Sequence, residues 1–143
     1  MSIEIIRGSF PLRPNFDRDM RSERRWKVLH DSPEQEGEFI PQLTAITINW
    51  SQSSGANLLK WCKGQKRVGG QRHLEAFRRE PKLVRREWRN SYILGPSTMW
   101  LEPDDGKGIV KFPYIYWFEE ICCMEFADFD VDFGSDMKII TLW

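Results

Sequence analysis

Nowhere in its 143 residues does the chain approach the roughly 18 consecutive apolar residues that a membrane span needs. Its opening, MSIEIIRGSF, lacks the charged-then-apolar layout of a signal peptide, so a cytoplasmic or virion location is expected rather than secretion. Cysteine is scarce: Cys62 stands alone and Cys122 and Cys123 are adjacent, an odd count that excludes a disulfide framework and points to reduced, buried thiols. Histidine is scarcer. His30 beside Asp31 and His73 near Glu75 are the only imidazole and acid neighbours from which acid–base chemistry could be built. Net charge is absent too, which counts against a surface devoted wholly to nucleic acid.

Motifs that carry chemistry are also missing their decisive residues. The loop GQKRVGG, Gly64 to Gly70, spaces its glycines as a phosphate cradle would but lacks the Lys-Ser/Thr pair of a P-loop. Asp128, Asp130 and Asp132 open like a calcium loop, yet Phe133 stands where Gly is required and Ile139 where a bidentate Glu belongs. His73-Leu74-Glu75 is half of a zinc-deaminase signature without the Pro-Cys-x-x-Cys half. Asp104, Asp105 and Lys107 resemble a nuclease's metal-binding carboxylates and lysine, but Asp105-Gly106 is accounted for by turn chemistry. No catalytic residue, metal or cofactor is therefore expected, nor any small-molecule substrate, and the chain is read as a non-enzyme.

What the chain does have is bulk and segregated charge. Nine Phe, seven Trp and three Tyr supply core material for a single domain spanning residues 1–143, folding without metal or disulfide. Lys60 to Arg89 carries eleven Lys and Arg against three Glu, a balance of +8. From Glu102 onward ten acids face three lysines, a balance of −7, while the first 59 residues are nearly even. Blocks of this size bear on partners.

The pattern along the chain predicts an α+β fold: a mainly antiparallel sheet or sandwich of five to seven strands, with one to three helices in the middle. Ile3 to Arg7 reads as a short strand, Gly8 to Pro14 as an extended connector, and Asn15 or Asp17 as the cap of a short helix through Met20. Trp26 to Leu29 fits a strand as well as a helix, and Asp31 to Glu38 reads as a loop. Alternation makes Gln42 to Trp50 a strand, and Ser53 or Ser54 caps a helix ending at Gly64. A helix bearing Leu74 and Phe77 should end at Pro81. If Lys82 to Asn90 is helical, Lys82, Arg85, Arg86 and Arg89 share a stripe while Leu83, Val84 and Trp88 face inward. The rest reads as strands: Tyr92 to Leu101, Ile109 to Phe118, Glu125 to Phe133 and Met137 to Trp143.

Two surfaces stand out. The basic one comprises Lys63, Lys66, Arg67 and Arg72 with Lys82, Arg85, Arg86 and Arg89; it suits nucleic-acid phosphates, or a contact with the acidic end of the chain within one copy or between copies. The other comprises Tyr114, Tyr116 and Trp117 in the doubly apolar strand IVKFPYIYWF, together with Asp128, Asp130 and Asp132. A second subunit or the chain's own helices would cover that strand, and Pro113 suggests an edge or bulge position within it.

From Leu43 onward the order LTAITINW, SSGANLLKW, EPDDGKGIVKF, YIYWFEEI, FADFDVDF and MKIITLW resembles that of the tube proteins of contractile phage tails. The basic stretch Lys63 to Arg89 and the ending at Trp143 depart from that family. The resemblance implies a β-sandwich subunit of rings with inter-subunit sheet and an acidic lumen, a viral structural protein. The sequence is thus read as a structural or interaction subunit, with itself or another protein as partner. Its alternatives are a nucleic-acid-binding protein using residues 60–89 and a small protein inhibitor of a larger complex.

Overall fold

The computed structural model describes residues 9–45, 67–103, 108–128 and 137–142. Among them, β1 (Phe10–Leu12) pairs only with β3 (Gly37–Phe39) in a small antiparallel ribbon. Seven strands form the main sheet: β2 (Lys27–His30), β4 (Pro41–Ala45), β5 (Tyr92–Leu94), β6 (Met99–Glu102), β7 (Ile109–Phe118), β8 (Ile121–Asp128) and β9 (Met137–Leu142). Among the described residues two α-helices accompany them, α1 (Met20–Arg24) and α2 (Gln71–Arg79). The α+β expectation, sheet-dominated with few helices, is what the structure has.

β7 is the spine, ten residues of mostly β-branched and aromatic side chains suited to a pleated surface. One side of it pairs antiparallel with β8 from Lys111↔Asp128 to Phe118↔Ile121. Along its other side β6 and β5 lie end to end, β6 opposite Ile109 to Lys111 and β5 opposite Tyr114 and Ile115. The sheet forks there. β6 leads on to β2, whereas β5 pairs in parallel with β9, which pairs with β4, so the sheet is mixed rather than purely antiparallel.

The single strand expected over Tyr92 to Leu101 is thus two strands separated by Gly95–Thr98. Pro113 explains how the spine tolerates the gap. Its carbonyl accepts from the Gly95 N–H at 3.0 Å, so the side from which proline's own N–H is missing faces the break. Pro113 is consequently not at an edge: β7 has partners on both sides.

α2 begins in the fork. Its N-cap Gly70 has no side chain to offer, and Thr98 from the break substitutes, its Oγ1 accepting the Gln71 N–H at 2.9 Å. The helix stops where expected, with Glu80 displaced from helical dihedrals ahead of Pro81. Leu74 and Phe77 face inward between the ribbon and the sheet, joining Phe10 and Phe39 on one side to Ile93, Ile115 and Ile140 on the other. A second cluster unites Phe16, Met20, Trp26 and Trp100.

Other boundaries moved. Asp19, not Asn15 or Asp17, caps α1, accepting from the Arg21 N–H at 3.0 Å. Part of the expected connector is β1, part of the expected loop is β3, and Lys27–His30 takes the strand alternative. Lys82 to Asn90 is not one helix but two short 3₁₀ turns, Pro81–Leu83 and Arg86–Asn90, separated by extended Val84 and Arg85. The inward set survives this: Val84 is buried, and Leu83 and Trp88 pack on the core. β8 begins at Ile121, four residues before the expected start, because Glu119 and Glu120 alone make the turn from β7. The strand over Ile3 to Arg7 and the helix from Ser53 to Gly64 lie outside the described residues, as do positions 46–50 and 129–133 of the expected strands.

Candidate functional site

The polar side chains nearest to a catalytic pattern turn out to be buried struts. Glu75, fully enclosed, accepts the N–H groups of Asp17 (3.0 Å) and Arg18 (2.8 Å) and the Gln71 amide (3.1 Å), tying the Pro14–Asp19 arm to α2. Burial pushes its carboxyl above the ordinary value, against the pull of those donors. His73 is equally enclosed; its Nδ1 accepts the Gly70 N–H at 2.9 Å, and burial lowers its pKa to about 4. It is therefore neutral at pH 7, with Nε2 buried and unpartnered among the described residues. His30 and Asp31 diverge: His30 Nδ1 donates to the Ser97 carbonyl at 2.6 Å, while Asp31 accepts from Arg72, Thr98 and the Ser32 N–H. Among the described residues no group of three or more His, Cys, Asp or Glu is placed to hold a metal, and no helix is long and apolar enough to cross a membrane.

The basic segment is split by its surroundings. Arg72, exposed by only 6%, pairs with Asp31 at 2.5 Å, donates to the Pro14 carbonyl at 2.7 Å and lies 4.0 Å over the Phe16 ring. It is removed from any surface role. Arg79 meets Asp17 at 2.8 Å, and Arg67 reaches Glu34 at 3.6 Å. Among the described residues, neutralisation of this segment thus comes from acids of the first 59 residues. No ion pair links residues 67–89 to the acids after Glu102 among the described residues, where Glu102 and Asp128 instead flank Lys111.

Lys82, Arg85 and Arg86 remain exposed, with no ion pair among the described residues. Arg85 lies over Trp88, 5.4 Å from its ring. Arg89 is turned back, donating to the Pro81 carbonyl at 2.7 Å, so the expected four-residue stripe is reduced to three outward cations. Lys63 and Lys66 lie outside the described residues.

A cleft of about 610 Å³ opens between the end of α2 and the β7–β8 hairpin, lined in part by Arg18, Arg78, Arg79, Glu120, Ile121 and Cys122. Arg78 Nε donates to the Cys122 carbonyl at 3.3 Å, and Arg18 Nη1 to the Met124 carbonyl at 2.9 Å. Among the described residues β8 pairs only with β7, and these two guanidinium groups occupy acceptors on its other edge. Burial pushes the half-buried Cys122 thiol up to about 12; Cys123, also half-buried, is likewise free, and Cys62 lies outside the described residues.

The hairpin carries the aromatic surface. Tyr114 and Tyr116 sit 6.0 Å apart and form a cluster with Tyr92, at 6.1 and 5.7 Å. Trp117 points the other way, onto the core. Asp128 stands at the far end of β8 beside Lys111, while Asp130 and Asp132 lie outside the described residues. On the side of β7 that carries the tyrosines, Phe118 ends the row and faces Ile121 across the strands. These two are 63% and 65% exposed. Sequence reasoning placed Phe118 in a strand but missed the tip; the signal was two apolar stretches separated by just two polar residues, Glu119 and Glu120.

No protein-family model matches the chain, and no curated protein or solved structure is significantly similar to it.

Proposed function

We propose that the chain is a non-enzymatic interaction subunit of a multi-chain assembly. Support comes from one observation above the others: Phe118 and Ile121 stand opposite one another at a hairpin tip, each about two-thirds exposed and continuous with the tyrosine cluster. Fully burying such a side chain is worth roughly 1.5–3 kcal/mol, which a free hairpin tip forgoes and a partner recovers. Static light scattering from micromolar to high concentration at low salt tests this. Mass should rise with concentration, or in the presence of a partner protein, and the rise should vanish in Phe118→Ser/Ile121→Ser. A strict monomer that captures no partner removes the proposal.

A second reading, nucleic-acid binding, draws on the exposed Lys82, Arg85 and Arg86. Binding to labelled DNA or RNA would then fall steeply with salt as counterions are released. Absent binding, or binding indifferent to salt, disposes of it.

A further inference from the structure

We propose that the hairpin tip Phe118–Ile121 docks onto the basic face of a second copy of this chain, forming a two-fold pair in which acidic tip and basic face meet twice. The proposal rests on the assembly reading above and names its surfaces and partner. The turn itself is the first reason. Glu119 and Glu120 have φ of 48° and 68°, the left-handed pair of a two-residue hairpin, where Asn-Gly is preferred and other L-residues cost roughly 1–2 kcal/mol apiece. Two adjacent carboxylates add mutual repulsion. Such a tip is poor at stabilising its own turn, and its chemistry suits something beyond it.

Among the described residues nothing pairs with its charges. Glu120 lines the same cleft as Arg78 and Arg79, yet neither it nor Glu119 forms an ion pair among the described residues. Past Arg79 and Pro81, which also lines the cleft, the chain leads to Lys82, Arg85 and Arg86, likewise without ion pairs among the described residues. The cleft therefore brings Glu120 and Ile121 of the tip to Arg78, Arg79 and Pro81, and the chain runs on from Pro81 into the exposed cations. A patch of this composition complements itself: an axis through the apolar pair sets the tip of each copy against the cations of the other. Nucleic acid fits the cleft less well, because Glu120 lines it and would meet the phosphates.

The test is a charge swap read by sedimentation equilibrium, with circular dichroism confirming that each variant is folded. Glu119→Lys/Glu120→Lys and Lys82→Glu/Arg86→Glu should each weaken self-association by about tenfold or more, a loss of about 1.4 kcal/mol. An equimolar mixture should recover it, since the mixed pair restores opposite charges at both contacts. Phe118→Ser/Ile121→Ser should abolish pairing alone and in the mixture. If the wild type associates and all three variants associate equally well, the surfaces are wrong although the assembly reading stands. Failure of the mixture to recover shows that the charges do not act on each other and overturns the proposal. A wild type that is monomeric throughout, but captures a different protein, overturns the second-copy pairing alone; one that captures nothing removes both.

Discussion

Gly95 and Gly70 meet backbone to backbone: a Cβ on Gly95 would lie 2.7 Å from the Gly70 carbonyl oxygen and 2.9 Å from Leu74 Cδ1. The start of α2 is seated that tightly into the fork between β5 and β6. Gly95→Ala must push the helix out or open the break, and a loss of about 1–3 kcal/mol is expected in urea unfolding. Gly37→Ala serves as the control. Its φ of +92° also disfavours a side chain, but nothing lies within 4 Å, so only the conformational cost of about 1–2 kcal/mol applies.

Glu75→Gln replaces an acceptor of three donors with a group that itself donates. One amide face must then oppose the N–H of Asp17 or Arg18 or the Gln71 amide, leaving a buried donor unmatched at about 1–3 kcal/mol. The arm over Pro14 to Asp19 should loosen before the sheet does. Faster amide exchange at Asp17 and Arg18 than at Ile115 would report it, and unchanged exchange would contradict the strut role.

Acid should weaken the fold through His73. Its folded pKa of about 4 lies below the ordinary 6.5, so between those values the unfolded chain binds a proton that the folded one refuses. The stabilisation is present above pH 6.5 and is lost as pH falls through about 4, by about 3 kcal/mol over the window. Glu75 works in the opposite sense: its raised carboxyl contributes stability at low pH that is lost as pH rises. His73→Asn keeps an acceptor for the Gly70 N–H and removes the imidazole. Urea unfolding at pH 7.5, 5.5 and 4.5 should show a flatter pH dependence in the variant, and equal slopes would refute the assignment.

Arg18→Ala/Arg78→Ala strips the guanidinium donors from the Met124 and Cys122 carbonyls. β8, eight residues long, pairs on one side only among the described residues, and an unpaired edge is a template for further strands. Turbidity at elevated temperature should rise well above wild type, and a thioflavin signal should accompany it. Soluble behaviour equal to wild type would mean that the edge is guarded by something other than these arginines.

How much of this was legible depended on the distance over which each cause acts. Strand character in Ile109 to Phe118 and Met137 to Leu142 is local, and it was readable from branched and aromatic side chains. So was the end of α2 at Pro81. The stripe over Lys82 to Asn90 was half readable: Leu83, Val84 and Trp88 do face the core, but proline at the start and extended Val84 and Arg85 break the helix that would align the cations. The β7–β8 turn was hidden because Glu-Glu carries none of the usual turn chemistry. Arg72 was assigned to a basic surface because its partner Asp31 lies 41 residues away in sequence, and no local pattern announces such a pair. The same holds for Thr98 capping a helix 27 residues earlier.

The seating of β9 between β5, to which it is parallel, and β4, to which it is antiparallel, bears on how the chain acquires its shape. β4 finds its partner about a hundred positions later, with Pro41 opposite Leu142, and Val68 also waits for Thr141. During synthesis the hairpin β7–β8 can close as soon as it emerges, but this half of the sheet stays open until residue 142 has left the ribosome. Contacts so remote in sequence make for slow folding and a long exposure of two unpaired strand edges. Yield in a cell should therefore respond more to chaperone supply and growth temperature than the stability of the finished fold would suggest.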